Sequence, residues 1–145
     1  MSINFFTEDI TYAIKHKALL KKWVKSVIKS HHYHLQELNF ILCSDNYLYE
    51  MNIKYLDHDT LTDVITFDNS EINQSIEGDI FISIDRVKEN AEKLQISSEV
   101  ELHRVMIHGT LHLLGFNDKT KPEKEGMRKM EDFWLEKLAQ DFSSK

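Results

Sequence analysis

His108-Gly109-Thr110-Leu111-His112-Leu113-Leu114-Gly115-Phe116-Asn117-Asp118 sets two imidazoles four residues apart and a carboxylate six residues beyond the second. On a helix, positions i and i+4 lie about 40° apart around the axis and one turn apart along it, so both rings can reach the same point. Gly115 is placed to end that helix in a left-handed conformation, after which the chain can turn back and present Asp118. Three nitrogen or oxygen donors around a zinc ion leave its fourth position open for a water, which distinguishes a catalytic site from a closed structural one.

The flanking residues separate this reading from that of two ordinary histidines. Ser98 with Glu101 three residues on forms a capping box, predicting a helix that opens there and runs to Gly115. Leu102, Val105, Met106 and Leu113, and on another side Ile107, Leu111 and Leu114, make it apolar around most of its circumference. Glu101, Arg104, His108, His112 and Gly115 share the one polar stripe, and polar side chains gathered on a buried helix need a partner there. Gly109, inside the helix, costs about 1 kcal/mol relative to alanine and calls for a packing reason. His103 points about 140° away from His108 and is excluded from the cluster.

Outward from this helix, the periodicity predicts an α+β fold, a small mixed β-sheet packed with about five helices in three layers. Leu19, Leu20, Trp23, Val24, Val27 and Ile28 mark an amphipathic helix over about 16–30. Residues 36–43 read as a strand, followed by a helix capped by Asp45 whose Leu48, Met51 and Tyr55 form the buried stripe. Two short strands, residues 64–67 and 79–83, are expected side by side, the second apolar on both faces and therefore internal. Asp85 is expected to cap a helix through about Gln95, and a last helix, about 123–139, to bury Met127, Met130, Trp134 and Leu138. With a single proline, four glycines and no repeat, residues 1–145 read as one domain.

Net charge is −6, yet residues 1–34 hold six lysines against two acids, so the remainder is strongly acidic. Overall acidity argues against indiscriminate polyanion binding; a nucleic-acid partner would need a local basic patch, and Lys21, Lys25 and Lys29 recur every four residues on one helical face, with Lys15, Lys17 and Lys22 nearby. The single Cys43, in an apolar run, suits a buried thiol in a reducing compartment. The N-terminus lacks the features of a signal peptide and no apolar run reaches the ~20 residues of a membrane span, so a cytoplasmic, membrane-free protein is expected.

The spacing His-x3-His-x2-Gly-x2-Asp also matches the ligand frame of metzincin-type proteases, but Gly109 stands where those enzymes carry the glutamate that serves as general base, which counts against peptide hydrolysis. The residues resemble instead the YbeY family of metal-dependent endoribonucleases. That family's HGxLHLxGxDH signature appears here as HGTLHLLGFND. Asn52, Tyr55 and Asp59 followed by Thr62-Asp63-Val64-Ile65-Thr66-Phe67 are similar to its N..YR..D..TDVLSF block, and Gly78-Asp79-Ile80-x-Ile82-Ser83 to its GDI-x-IS strand. The resemblance implies a zincin-like metallohydrolase architecture with one Zn2+ per chain held by His108, His112 and Asp118. It implies a single-strand-specific endoribonuclease in ribosomal RNA maturation, at the 3′ end of 16S RNA, and in ribosome quality control, with the ribosome or its small subunit as partner.

Two positions depart from the family. Its third metal histidine falls at Asp118, which still ligates zinc but adds a negative charge and lowers the ion's Lewis acidity. Its arginine after the tyrosine is Leu56, leaving a transition-state contact vacant that Arg104, on the ligand stripe, is expected to fill in part. Asp63 is expected to serve mainly in a turn, His58 to be solvated, and His31, His32 and His34 to favour the first helix's C-terminal dipole. Two other readings stay open: a non-nucleolytic, metal-containing ribosome assembly factor, and a metallohydrolase of small molecules or peptides.

Overall fold

The computed structural model describes residues 1–56 and 63–143; His58, Asp59 and Thr62, singled out above, lie outside the described residues. Its elements in chain order are β1 (Ser2–Thr7), α1 (Lys17–Ser30), β2 (His34–Cys43), α2 (Asp45–Leu56), β3 (Val64–Asp68), β4 (Ser75–Ser83), α3 (Ile84–Leu94), α4 (Ser98–Leu113) and α5 (Lys121–Ser143). The four strands form one mixed sheet in the order β1-β2-β4-β3, with β1, β2 and β4 parallel and β3 antiparallel to β4 at the edge. The α+β expectation holds, and β4 is internal, as its apolar residues on both faces require.

Alternation along β2 divides the two sides of the sheet. Leu38, Phe40 and Leu42 join the larger core with Ile76, Ile80 and Ile82 of β4 and with residues of α1, α3, α4 and α5. On the other side Cys43 and Ile65 pack with Leu48 of α2, bordered by Tyr47, Met51, Phe67 and Phe81. The thiol of Cys43 is fully buried, and burial, with Asp9, Glu8, Asp85 and Asp45 adding negative charge, pushes its pKa up to about 12, so it is an inert packing group. Among the described residues no helix is long and apolar enough to cross a membrane.

Several local expectations are corrected. β1 was not expected; its Ile3 is buried, but Phe6 is half exposed, so the short strand carries little alternation. The caps of α2, α3 and α4 are Ser44, Ser83 and Ser97, whose hydroxyls accept from the backbone N–H groups of Tyr47, Arg86 and Val100. Asp45, Asp85 and Ser98 fall inside or at the start of the first turn, and Asp45 instead accepts from Ser83 Oγ and Arg86 Nε. Among the described residues Glu101 closes no capping box and, buried on α4, its Oε1 has no hydrogen-bond partner. In α2, Tyr55 is exposed while Asn52 takes the buried position, and in α5 Met130 and Trp134 are half-buried beside the fully buried Met127 and Leu138.

Gly109 has the packing reason its position demanded. A Cβ there would lie 2.9 Å from Ile80 Cγ2 and 3.4 Å from Thr66 Cγ2, so α4 rests directly on β4 and β3 at this residue. That contact sets the height of the histidines on either side of it above the sheet edge.

Candidate metal centre

α4 ends as its sequence requires. Gly115 adopts φ +100°, its N–H donates to the His112 carbonyl, and the Phe116 N–H donates to the Leu111 carbonyl. These two bonds close a Schellman motif, which reverses the chain and carries Asp118 back over the last turn. His108 Nε2 and His112 Nε2 are 3.0 Å apart, and Asp118 Oδ2 lies 3.2 Å from the first and 3.5 Å from the second. A tetrahedral zinc ion with bonds of about 2.0–2.1 Å has ligand–ligand edges of about 3.3 Å. The three donors thus already form one face of such a coordination shell, and among the described residues they are the group able to hold an ion.

Behind the donors stands a residue that the sequence reading did not single out. Glu131 of α5 is buried, and its Oε2 lies 2.6 Å from His108 Nδ1. A carboxylate only accepts, so Nδ1 carries the proton and Nε2 keeps its lone pair toward the other donors. Glu131 Oε1 in turn accepts from Arg104 at 2.9 Å, and the other terminal nitrogen of Arg104 donates to Asp132 at 2.8 Å. Arg104 therefore reaches the cluster through Glu131. The one signal for Glu131 in the sequence was an acid four residues after Met127 on the buried face of α5.

The local field is negative. Burial of the His108 ring lowers its pKa, but the hydrogen bond and charge of Glu131, with Asp118 and Asp63, outweigh it and hold the group above its usual value. Asp63 lies just before β3; its carbonyl accepts from Ser83 N–H while its charge acts on both His108 and Glu101. Burial, and next the charge of Asp63, raise the Glu101 pKa. His103 is buried away from the cluster against Trp23 and Phe142, as its helical phase required. His31 caps α1 and meets Phe116 edge-on, at 5.2 Å between centroids.

The family model described as endoribonuclease YbeY matches residues 2–139. The chain belongs to the YbeY family. A Cytophaga hutchinsonii protein named endoribonuclease YbeY is 53% identical over 131 residues, covering 90% of this chain and 92% of its own. One of the same name from Amoebophilus asiaticus is 50% identical over 134 residues, covering 92% of this chain and 91% of its own. The solution structure of the Thermotoga maritima protein TM1509 superposes with a TM-score of 0.68 at 27% identity, covering 99% of this chain and 93% of that one. Family membership makes the chain an endoribonuclease by descent, a hydrolase of phosphodiester bonds, and in this chain one ligand atom each of His108, His112 and Asp118 lies within 4.8 Å of the others.

Proposed function

We propose that this chain, acting as one unit in the cytoplasm, is a zinc-dependent, single-strand-specific endoribonuclease that trims ribosomal RNA. One ion would be held by His108, His112 and Asp118. The observation that carries the reading is the donor triangle, with edges of 3.0, 3.2 and 3.5 Å. When bound, the ion supplies a water of lowered pKa and stabilises charge growing on a phosphate oxygen.

The protein's own residues do the rest. Glu131 fixes the tautomer and orientation of His108, and Arg104 anchors Glu131. The substrate strand lies between the polar stripe of α4 and the edge strand β3, and the lysines on the outer side of α1, the exposed Lys25 and Lys29 among them, attract its phosphates. The ribosomal small subunit is the partner proposed, with the 3′ end of 16S RNA as the stretch processed and ribosome quality control as the setting.

The test is cleavage of matched single-stranded and duplex ribosomal RNA fragments by the metal-loaded protein and by His112→Ala. Cleavage of the single strand alone, lost in the variant, is expected. A protein that binds metal, loses thermal stability when stripped, and cuts no RNA would instead be a non-nucleolytic assembly factor. Product ends add the chemistry: a 2′,3′-cyclic phosphate implicates attack by the ribose hydroxyl.

A further inference from the structure

Between the end of α1 and the outer side of α5 runs a groove of about 430 Å³, lined by Ser30, His31, Lys129, Met130, Phe133 and Trp134. We infer that it is a stacking subsite for an unpaired base of single-stranded RNA bound next to the metal centre. The inference rests on the endoribonuclease reading and adds where the strand is gripped.

Three features of the groove favour a nucleobase with its phosphate. Aromatic surface is left uncovered: Phe133 is 53% exposed although it stands between turns of a helix whose inner side is well packed. A flat ring left open to water offers a stacking face that accepts any base. Cations border that ring. Lys129, Phe133 and Lys137 recur every four residues along α5, and Lys137 Nζ sits 5.4 Å from the Phe133 ring centre. The lining residues include no carboxylate, and Asp132, beside Phe133 in sequence, is engaged by Arg104. In a chain of net charge −6 this is a place where apolar and cationic groups coincide.

The groove is also linked through its lining residues to the segments that carry the metal centre. Met130, in its floor, precedes Glu131, which holds His108. His31, in its wall, packs edge-on against Phe116, two residues before Asp118. A strand bound at the donor triangle would reach the groove past Phe116 and His31, where Lys129 in the lining offers a positive charge to its phosphates.

The probe is a fluorescently end-labelled single-stranded RNA, titrated by anisotropy into zinc-loaded protein at low salt, with cleavage followed in parallel. Phe133→Ala is expected to weaken binding about tenfold and raise KM with kcat little changed, whereas Phe133→Trp retains affinity and Phe133→Leu does not. Leu94→Ala, at another exposed apolar position, serves as the control and is expected to match wild type. Wild-type affinity in Phe133→Ala or Phe133→Leu would overturn the subsite while leaving the nuclease intact. If Phe133→Ala instead abolishes a dimer seen by sedimentation without changing RNA affinity, the groove is a self-association surface and the inference fails. A wild-type protein that binds the RNA through Phe133 but never cuts it would refute the nuclease reading and keep the subsite.

Discussion

Glu131 Oε2 sits 2.6 Å from His108 Nδ1 while its Oε1 accepts from Arg104, so one buried carboxylate ties the metal-binding helix α4 to α5. Removing the carboxylate charge should therefore be felt at the ion. Glu131→Gln is expected to weaken zinc binding by about 10–100-fold. It should also lower thermal stability, since Arg104 loses its buried partner. Competition titration against a chelating dye measures the first effect and calorimetry the second. Arg104→Ala should show the same signs with a smaller loss of metal affinity, because it acts one bond further out.

Asp118 supplies oxygen where the family signature supplies imidazole. Asp118→His exchanges an anionic donor for a neutral one and should raise the ion's Lewis acidity. The expected outcome is retained zinc binding with faster single-strand cleavage. Asp118→Ala should lose most zinc affinity at an unchanged fold, read by circular dichroism.

How much of this was legible beforehand depended on the range of the interaction. Helix α4, its glycine-led end and the ligand trio were readable because they are periodic and lie within one stretch of 21 residues, Ser98–Asp118. That β3 and β4 are neighbours was readable because they are close in sequence; their antiparallel pairing came from the structure. Glu131 was not: on sequence it is one charge among many on a lysine- and glutamate-rich helix, and its role arises from contact across 23 residues. The caps were misplaced by one or two residues because serine and aspartate both cap well. Which side chain reaches back to the N–H three residues on, as Ser44 does to Tyr47, is settled by backbone geometry. β1 was missed because a six-residue strand with half its residues exposed owes its existence to the parallel pairing with β2.

Two helical glycines should respond to alanine with opposite signs. Gly109→Ala drives a methyl to within 2.9 Å of the buried, β-branched Ile80 and should destabilise by about 1–3 kcal/mol through overpacking. Gly126, in α5, would place its Cβ with nothing inside 4 Å, so Gly126→Ala should stabilise by about 0.5–1 kcal/mol. Urea unfolding midpoints decide both.

His103 predicts a pH dependence of stability. Burial lowers its pKa from 6.5 to about 4, with Glu99 opposing and His16 adding to the shift. As pH falls from 6.5 toward 4 the unfolded chain takes up a proton at this ring that the folded chain refuses. Stability from this source is present above about 6.5 and is lost on acidification through that window, up to about 3 kcal/mol. His103→Phe should flatten the loss, seen in Tm measured from pH 7 to pH 4.

The basic side of α1 should act through charge alone. Replacing Lys21, Lys25 and Lys29 together by glutamate is expected to weaken single-stranded RNA binding strongly at low salt and progressively less as salt rises, because the contribution is counterion release at phosphates. Filter binding across a salt series measures it, and the metal content should be unchanged.

The most direct test is calorimetric titration of zinc into the metal-free protein and into His112→Ala. One ion per chain in the wild type, with that binding lost in the variant, is the result that two imidazoles and Asp118 closing on a single ion require. Full-strength binding in His112→Ala, or no stoichiometric binding in the wild type, would contradict it.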